Sequence, residues 1–121
     1  MPIKKVMVVD DSPTERFFLQ DLLTKKGYTV VTAENGEEGV TKAAKELPDL
    51  ILMDVVMPGL NGFQATRQIS KAAETAHIPI FMCTTKDQET DKVWGERQGA
   101  KAYLVKPVNP DELFSKIAAL G

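Results

Sequence analysis

Four apolar runs in this 121-residue chain stop abruptly at a residue able to do chemistry. Val6 to Val9 runs into Asp10-Asp11, Leu50 to Met53 into Asp54, Ile78 to Cys83 into Thr84, and Ala102 to Val105 into Lys106-Pro107. Carboxylates gathered in one place repel each other, and the usual remedies are protonation or a hard divalent cation with oxygen ligands. Mg2+ suits a site with few carboxylates and several waters. With the Lys106 ammonium and the Thr84 hydroxyl beside it, such a site has the parts to hold a phosphoryl group. A carboxylate can also be the nucleophile and become an acyl phosphate, and Asp54, central among the strands, has helpers on both sides. Taken alone, Asp54 before Met57-Pro58-Gly59 would more commonly cap a loop or helix. The acidic pair and the lysine at the other strand ends reverse that weighting.

These residues converge only if the strands are parallel and end at one edge. Leu50-Ile51-Leu52-Met53 is apolar without alternation, as suits a strand buried on both faces by helices. In open α/β sheets the ligand crevice lies beyond the carboxyl ends of the strands. Between the strands the helix signals are regular. Ser12 and Glu15 form a capping box with Pro13 at the first helical position, and the helix carries Phe18, Leu19, Leu22 and Leu23 on one stripe to Lys26, with Gly27 as its stop. Thr29 to Ala33 is a second strand, and Asn35 with Glu38 opens a helix that ends near Leu47-Pro48. A helix from about Phe63 to Lys71 precedes the strand Ile78 to Thr84, with Pro79 near its start. Asp87 caps a helix through Val93 and Trp94 to Gln98, ended by Gly99. After Ala102 to Val105, Asn109-Pro110 opens the last helix, with Leu113, Phe114, Ile117 and Leu120 on its apolar face. Five strands and five helices alternate, which predicts a doubly wound three-layer sandwich around a parallel sheet.

Composition narrows the partners. With 43% hydrophobic residues the chain can bury one core, so residues 1–121 are expected to form a single domain with no separate output domain. A net charge of −2 and the lack of a basic cluster argue against nucleic acid. No basic amphipathic or bilayer-length segment points to a membrane, and Met1-Pro2-Ile3-Lys4-Lys5 leads into the first strand without the pattern of a signal peptide. The lone Cys83 excludes an internal disulfide, fits a reducing cytoplasm, and reads as core packing. His77 has no partner cluster and is given no role. Trp94 divides evenly between core and docking surface.

The acidic pair in Val8-Val9-Asp10-Asp11-Ser12, the box Asp54 with Met57-Pro58-Gly59 and Gly62, then Thr84, Tyr103 and Lys106-Pro107 together resemble the receiver domain of bacterial two-component response regulators. The resemblance covers the whole chain. It implies a flavodoxin-like fold, a doubly wound (βα)5 sandwich with strand order 2-1-3-4-5. It also implies that Asp54 accepts a phosphoryl group from a histidine kinase, and that Mg2+ is bound by Asp11, Asp54 and the backbone carbonyl of Val56, with Asp10 acting through water. Lys106, aimed by a cis bond before Pro107, would contact the phosphoryl oxygens, and Thr84 would move to hydrogen-bond one. Tyr103 would follow Thr84 inward, carrying the change to a downstream protein target.

Val56 to Gln68 and Thr84 to Gly95 are further similar to the stand-alone receivers of type IV pilus chemosensory systems, which control twitching motility. The expectation is a monomeric regulator without enzymatic turnover beyond its own phosphorylation and dephosphorylation. It would act on a motor-associated target, or as a phosphate sink competing for the kinase, or as a flagellar-type chemotaxis regulator. Thr85 and Val56 depart from the commoner receiver pattern and bear on how long the phosphoryl lasts. Two other classes on related folds fit less well. A flavin carrier needs a phosphate loop after the first strand, where this chain has two carboxylates. An aspartate-dependent phosphatase needs an acid two residues after its nucleophile, where this chain has Val56.

Overall fold

The computed structural model describes residues 3–120; Met1, Pro2 and Gly121 lie outside the described residues. Five strands alternate with five helices: β1 (Lys5–Val9), α1 (Pro13–Lys25), β2 (Thr29–Ala33), α2 (Gly36–Glu46), β3 (Leu50–Met53), α3 (Gly62–Lys71), β4 (Ile80–Thr84), α4 (Glu89–Arg97), β5 (Ala102–Val105) and α5 (Pro110–Ala119). The strands form one parallel sheet in the order β2-β1-β3-β4-β5. This is the order that the resemblance implied. β3, at the centre, is buried along its whole length.

Full burial does not abolish alternation; it sends alternate side chains into different layers. Met7, Val9, Ile51, Met53, Ile80 and Met82 face one core with Ala43 of α2 and Phe63, Ala65 and Ile69 of α3. Val6, Val8, Leu50, Leu52, Phe81 and Cys83 face the other with Leu19 and Leu23 of α1 and Leu113 and Ile117 of α5. Burying each large apolar side chain is worth about 1.5–3 kcal/mol relative to exposure. A one-residue slip of β3 would exchange its two layers, so its register is strongly fixed.

Several local expectations need correction. β4 begins at Ile80 and not at Ile78: Pro79 has no N–H, and the Ile78 N–H is taken by the Thr75 carbonyl in the preceding turn (3.0 Å). The stripe on α1 is narrower than expected, because Phe18 is exposed while Leu19 and Leu23 are buried. Ser12 caps the Glu15 N–H (3.3 Å), but its own N–H donates to Asp10 Oδ1 (2.9 Å), which takes the place of the second arm of the capping box. α4 is capped at Gln88, whose N–H donates to Asp91, so the start lies one residue past Asp87. A full capping box, Asn61 with Gln64, opens α3. Gly27 and Gly99 end α1 and α4 with φ of +98° and +112°, as their positions predicted. Among the described residues no helix is long and apolar enough to cross a membrane.

Candidate functional site

Parallel strands bring the four strand ends to one edge, and the side chains there come together as a compact charged cluster. Asp10 and Asp54 are buried, Asp11 is exposed, and one carboxylate oxygen from each lies within 4.8 Å of the others. Lys106, leaving β5, places Nζ 2.6 Å from Asp10 Oδ2 and 3.7 Å from Asp54 Oδ1. The bond from Lys106 to Pro107 is cis. The ammonium therefore belongs chiefly to Asp10 in this state, and only secondarily to Asp54.

The charge balance of the cluster is unfavourable. Three carboxylates meet one ammonium. Burial pushes the Asp54 carboxyl up to about 6, and the negative charge of Asp10 adds to the effect; Lys106 and the Val55 N–H, which donates to Asp54 Oδ1 at 2.9 Å, oppose it. Burial works against the Lys106 ammonium too, but its hydrogen bond to Asp10 and the charge of Asp54 outweigh that and hold its pKa above the usual lysine value. All donors in the cluster are hard oxygens close enough to converge, which is the chemistry that a divalent cation such as Mg2+ requires. Softer metals that seek sulfur or imidazole find neither in the cluster, whose converging ligands are all carboxylates; Cys83 is a buried thiol that burial pushes up to about 12, and His77 is exposed in the turn before β4.

The loop after Asp54 is held tightly against the strand end. The Gly62 N–H donates to the Val55 carbonyl at 2.9 Å, and a Cβ at residue 62 would lie 2.0 Å from the Asp54 carbonyl oxygen. Only glycine permits that approach. Val56, in this loop, exposes its side chain.

Thr84 is fully buried at the end of β4, and its hydroxyl accepts from the Lys86 N–H of its own loop (3.3 Å). Its carbonyl accepts from the Lys106 N–H (2.8 Å), which ties the threonine and lysine strand ends together. Tyr103 lies apart from the acidic cluster. Its ring packs beneath α4, where a Cβ at Gly95 would be 3.3 Å from Tyr103 Cδ2. Its hydroxyl oxygen is buried and, among the described residues, has no hydrogen-bond partner; burial pushes the phenol up to about 12. Trp94 is half-exposed on α4 and sets its ring edge-on to Phe63, with centroids 6.5 Å apart, so it is partly packing and partly surface. Arg16, which the sequence did not single out, reaches the backbone of the acidic pair, donating from Nη1 to the Asp10 carbonyl at 2.8 Å. No local pattern announces such a contact, because it exists only once α1 has turned back over the end of β1.

Residues 6–118 match the response regulator receiver domain family. Protein PilH of Pseudomonas aeruginosa is 59% identical over 116 residues, which cover 96% of this chain and 96% of PilH. The alkaline phosphatase synthesis transcriptional regulatory protein PhoP of Bacillus subtilis is 42% identical over 117 residues, and there the chain spans 48% of the relative's length. Among solved structures, the chemotaxis protein CheY4 of Vibrio cholerae superposes with a TM-score of 0.90 at 36% identity, covering 97% of this chain and 98% of that one.

Proposed function

The chain belongs to the response regulator receiver domain family, and from that premise we propose that it is a phosphorylation switch with Asp54 as the phosphoacceptor. A carboxylate oxygen of Asp54 attacks the phosphorus of a phosphohistidine on a histidine kinase; the P–N bond breaks, the imidazole keeps the electron pair and takes up a proton, and Asp54 becomes an acyl phosphate. Asp11, Asp54 and the backbone carbonyl of Val56 would hold Mg2+, with Asp10 acting through water. When bound, the ion neutralises charge on the cluster and on the incoming phosphoryl oxygens. Lys106 supplies a second cation within reach of Asp54, and Thr84 offers its hydroxyl once released from its loop. Catalysis is positioning and charge neutralisation, and the protein turns over no other substrate.

The observation that carries this reading is the convergence of one ammonium and two further carboxylates on Asp54, so that three strand ends contribute to one cluster. A lone capping aspartate has no use for that company. Identity to PilH along nearly the whole of both chains supports the finer assignment, a regulator in type IV pilus motility that signals through a downstream protein.

Phosphotransfer tests the assignment directly. Incubated with the autophosphorylated kinase of a pilus chemosensory system, the protein should drain its label within seconds, and much faster than it drains an unrelated histidine kinase. Equal rates from both kinases would remove the pilus assignment, and transfer that persists in Asp54→Asn would remove the acceptor.

A further inference from the structure

Arg16 has no part in the chemistry above, yet its side chain is largely withdrawn from solvent (15% exposed) and grips the acidic pair from behind. Nη1 donates to the Asp10 carbonyl at 2.8 Å, and Nη2 donates to Glu34 Oε1 at 3.3 Å, on the loop between β2 and α2. The Asp10 carbonyl and the Asp11 N–H lie in one rigid peptide plane. Fixing that oxygen therefore fixes the direction in which Asp11 leaves the strand. The two aspartates differ in how else they are held. The Asp10 carboxylate is secured by the Ser12 N–H at 2.9 Å and by Lys106 at 2.6 Å. The Asp11 carboxylate is exposed, and among the described residues no hydrogen bond or ion pair orients it.

We propose that Arg16 is a positioning residue for the divalent-cation site: its guanidinium holds the Asp10–Asp11 peptide in the plane that aims the Asp11 carboxylate at the space shared with Asp10 and Asp54. The inference rests on the reading of that cluster as the cation site of a phosphoacceptor. The competing role is a structural tie between two loops through Glu34. Glu34 is 69% exposed, and an ion pair with so wet a partner contributes little. The bond that matters is the one to the carbonyl.

Electrostatics and positioning predict opposite signs, which makes the test decisive. Arg16→Met keeps the length of the stem and removes both the donors and a positive charge near the cluster. Charge alone would then make a cation bind more tightly. Loss of positioning makes it bind more weakly, by roughly tenfold, as when an outer-shell partner of a metal ligand is removed. Mn2+ binding to the purified full chain, followed from the spectrum of free Mn2+, should be weakened in Arg16→Met and unchanged within about twofold in Glu34→Gln. Thermal melts without divalent ion show whether each variant is folded at the titration temperature. If Arg16→Met is not, Arg16→Lys replaces it: the charge is kept and the planar fork of donors is lost, so charge alone predicts unchanged binding while loss of positioning still predicts weaker binding. Mn2+ binding that is unchanged or tighter in the Arg16 variant overturns the proposal. A wild-type chain that binds no Mn2+ overturns the reading of the cluster itself, so the two failures are distinguishable.

Discussion

Asp54 is held in a state that opposes its own ionisation, and this has a consequence that a melting curve can detect. With its carboxyl raised to about 6 by burial and by Asp10, against an ordinary value of 3.8, the folded chain binds the proton more tightly than the unfolded chain does. Stability therefore falls as pH rises from about 4 through about 6, and at neutral pH the ionised carboxylate opposes folding by on the order of 3 kcal/mol. Asp54→Asn, measured without divalent ions, should melt roughly 5 °C or more above wild type at pH 7.5, and the gap should close toward pH 4.5. A gap independent of pH would mean that Asp54 is not strained by its neighbours. At this scale the sequence disclosed the identities of the cluster but not its pairing. It placed Lys106 beside the acidic site without choosing a carboxylate; the shorter contact is to Asp10, although β1 lies farther from β5 than β3 does, because the long lysine side chain and not strand order decides the pairing. Arg16 was invisible for the same reason.

At the scale of elements, the site depends on how tightly the loop from Asp54 to Asn61 is folded against β3. Gly62 is its closure. Because the atoms that a Cβ would meet at residue 62 are backbone and not the tips of side chains, Gly62→Ala must displace the loop, at a cost of about 3 kcal/mol, the upper end for overpacking. It should also slow phosphorylation of Asp54. Gly27→Ala is the control, since a Cβ there meets nothing within 4 Å and the cost is only that of a positive φ, about 1 kcal/mol. Denaturant unfolding and phosphorylation rates of the two variants check this; equal rates would show that the loop does not position the acceptor. Element boundaries read from sequence were good where the signal is local, as at Asn35, Asn109, Gly27 and Gly99, although the Asn61 cap of α3 went unread. They failed where tertiary contacts decide. Pro79 delays β4, and Phe18 leaves the apolar stripe because α1 packs on the sheet through Leu19, Leu22 and Leu23 and leaves Phe18 outside that contact.

Across the whole molecule, parallel order turns four separated strand ends into one site, and that much follows from alternation alone: crossovers force parallel strands, and parallel strands share a carboxyl edge. The coupling from this edge to a partner-facing surface is less legible. Thr84 is engaged with its own loop, while the Tyr103 hydroxyl is already buried beneath α4, so the two residues are not joined by a hydrogen bond here. Gly95 makes room for that ring, and nothing in its local sequence marks it as anything other than a weak point in a helix. The central claim, that the edge accepts a phosphoryl group on one carboxylate, is tested most directly by incubating the protein with acetyl phosphate and Mg2+ and locating the product by mass spectrometry of the trapped acyl phosphate. A single phosphoryl group on Asp54 is expected, not formed when the ion is chelated beforehand and absent in Asp54→Asn; modification at another residue, or none at any Mg2+ concentration, would contradict this.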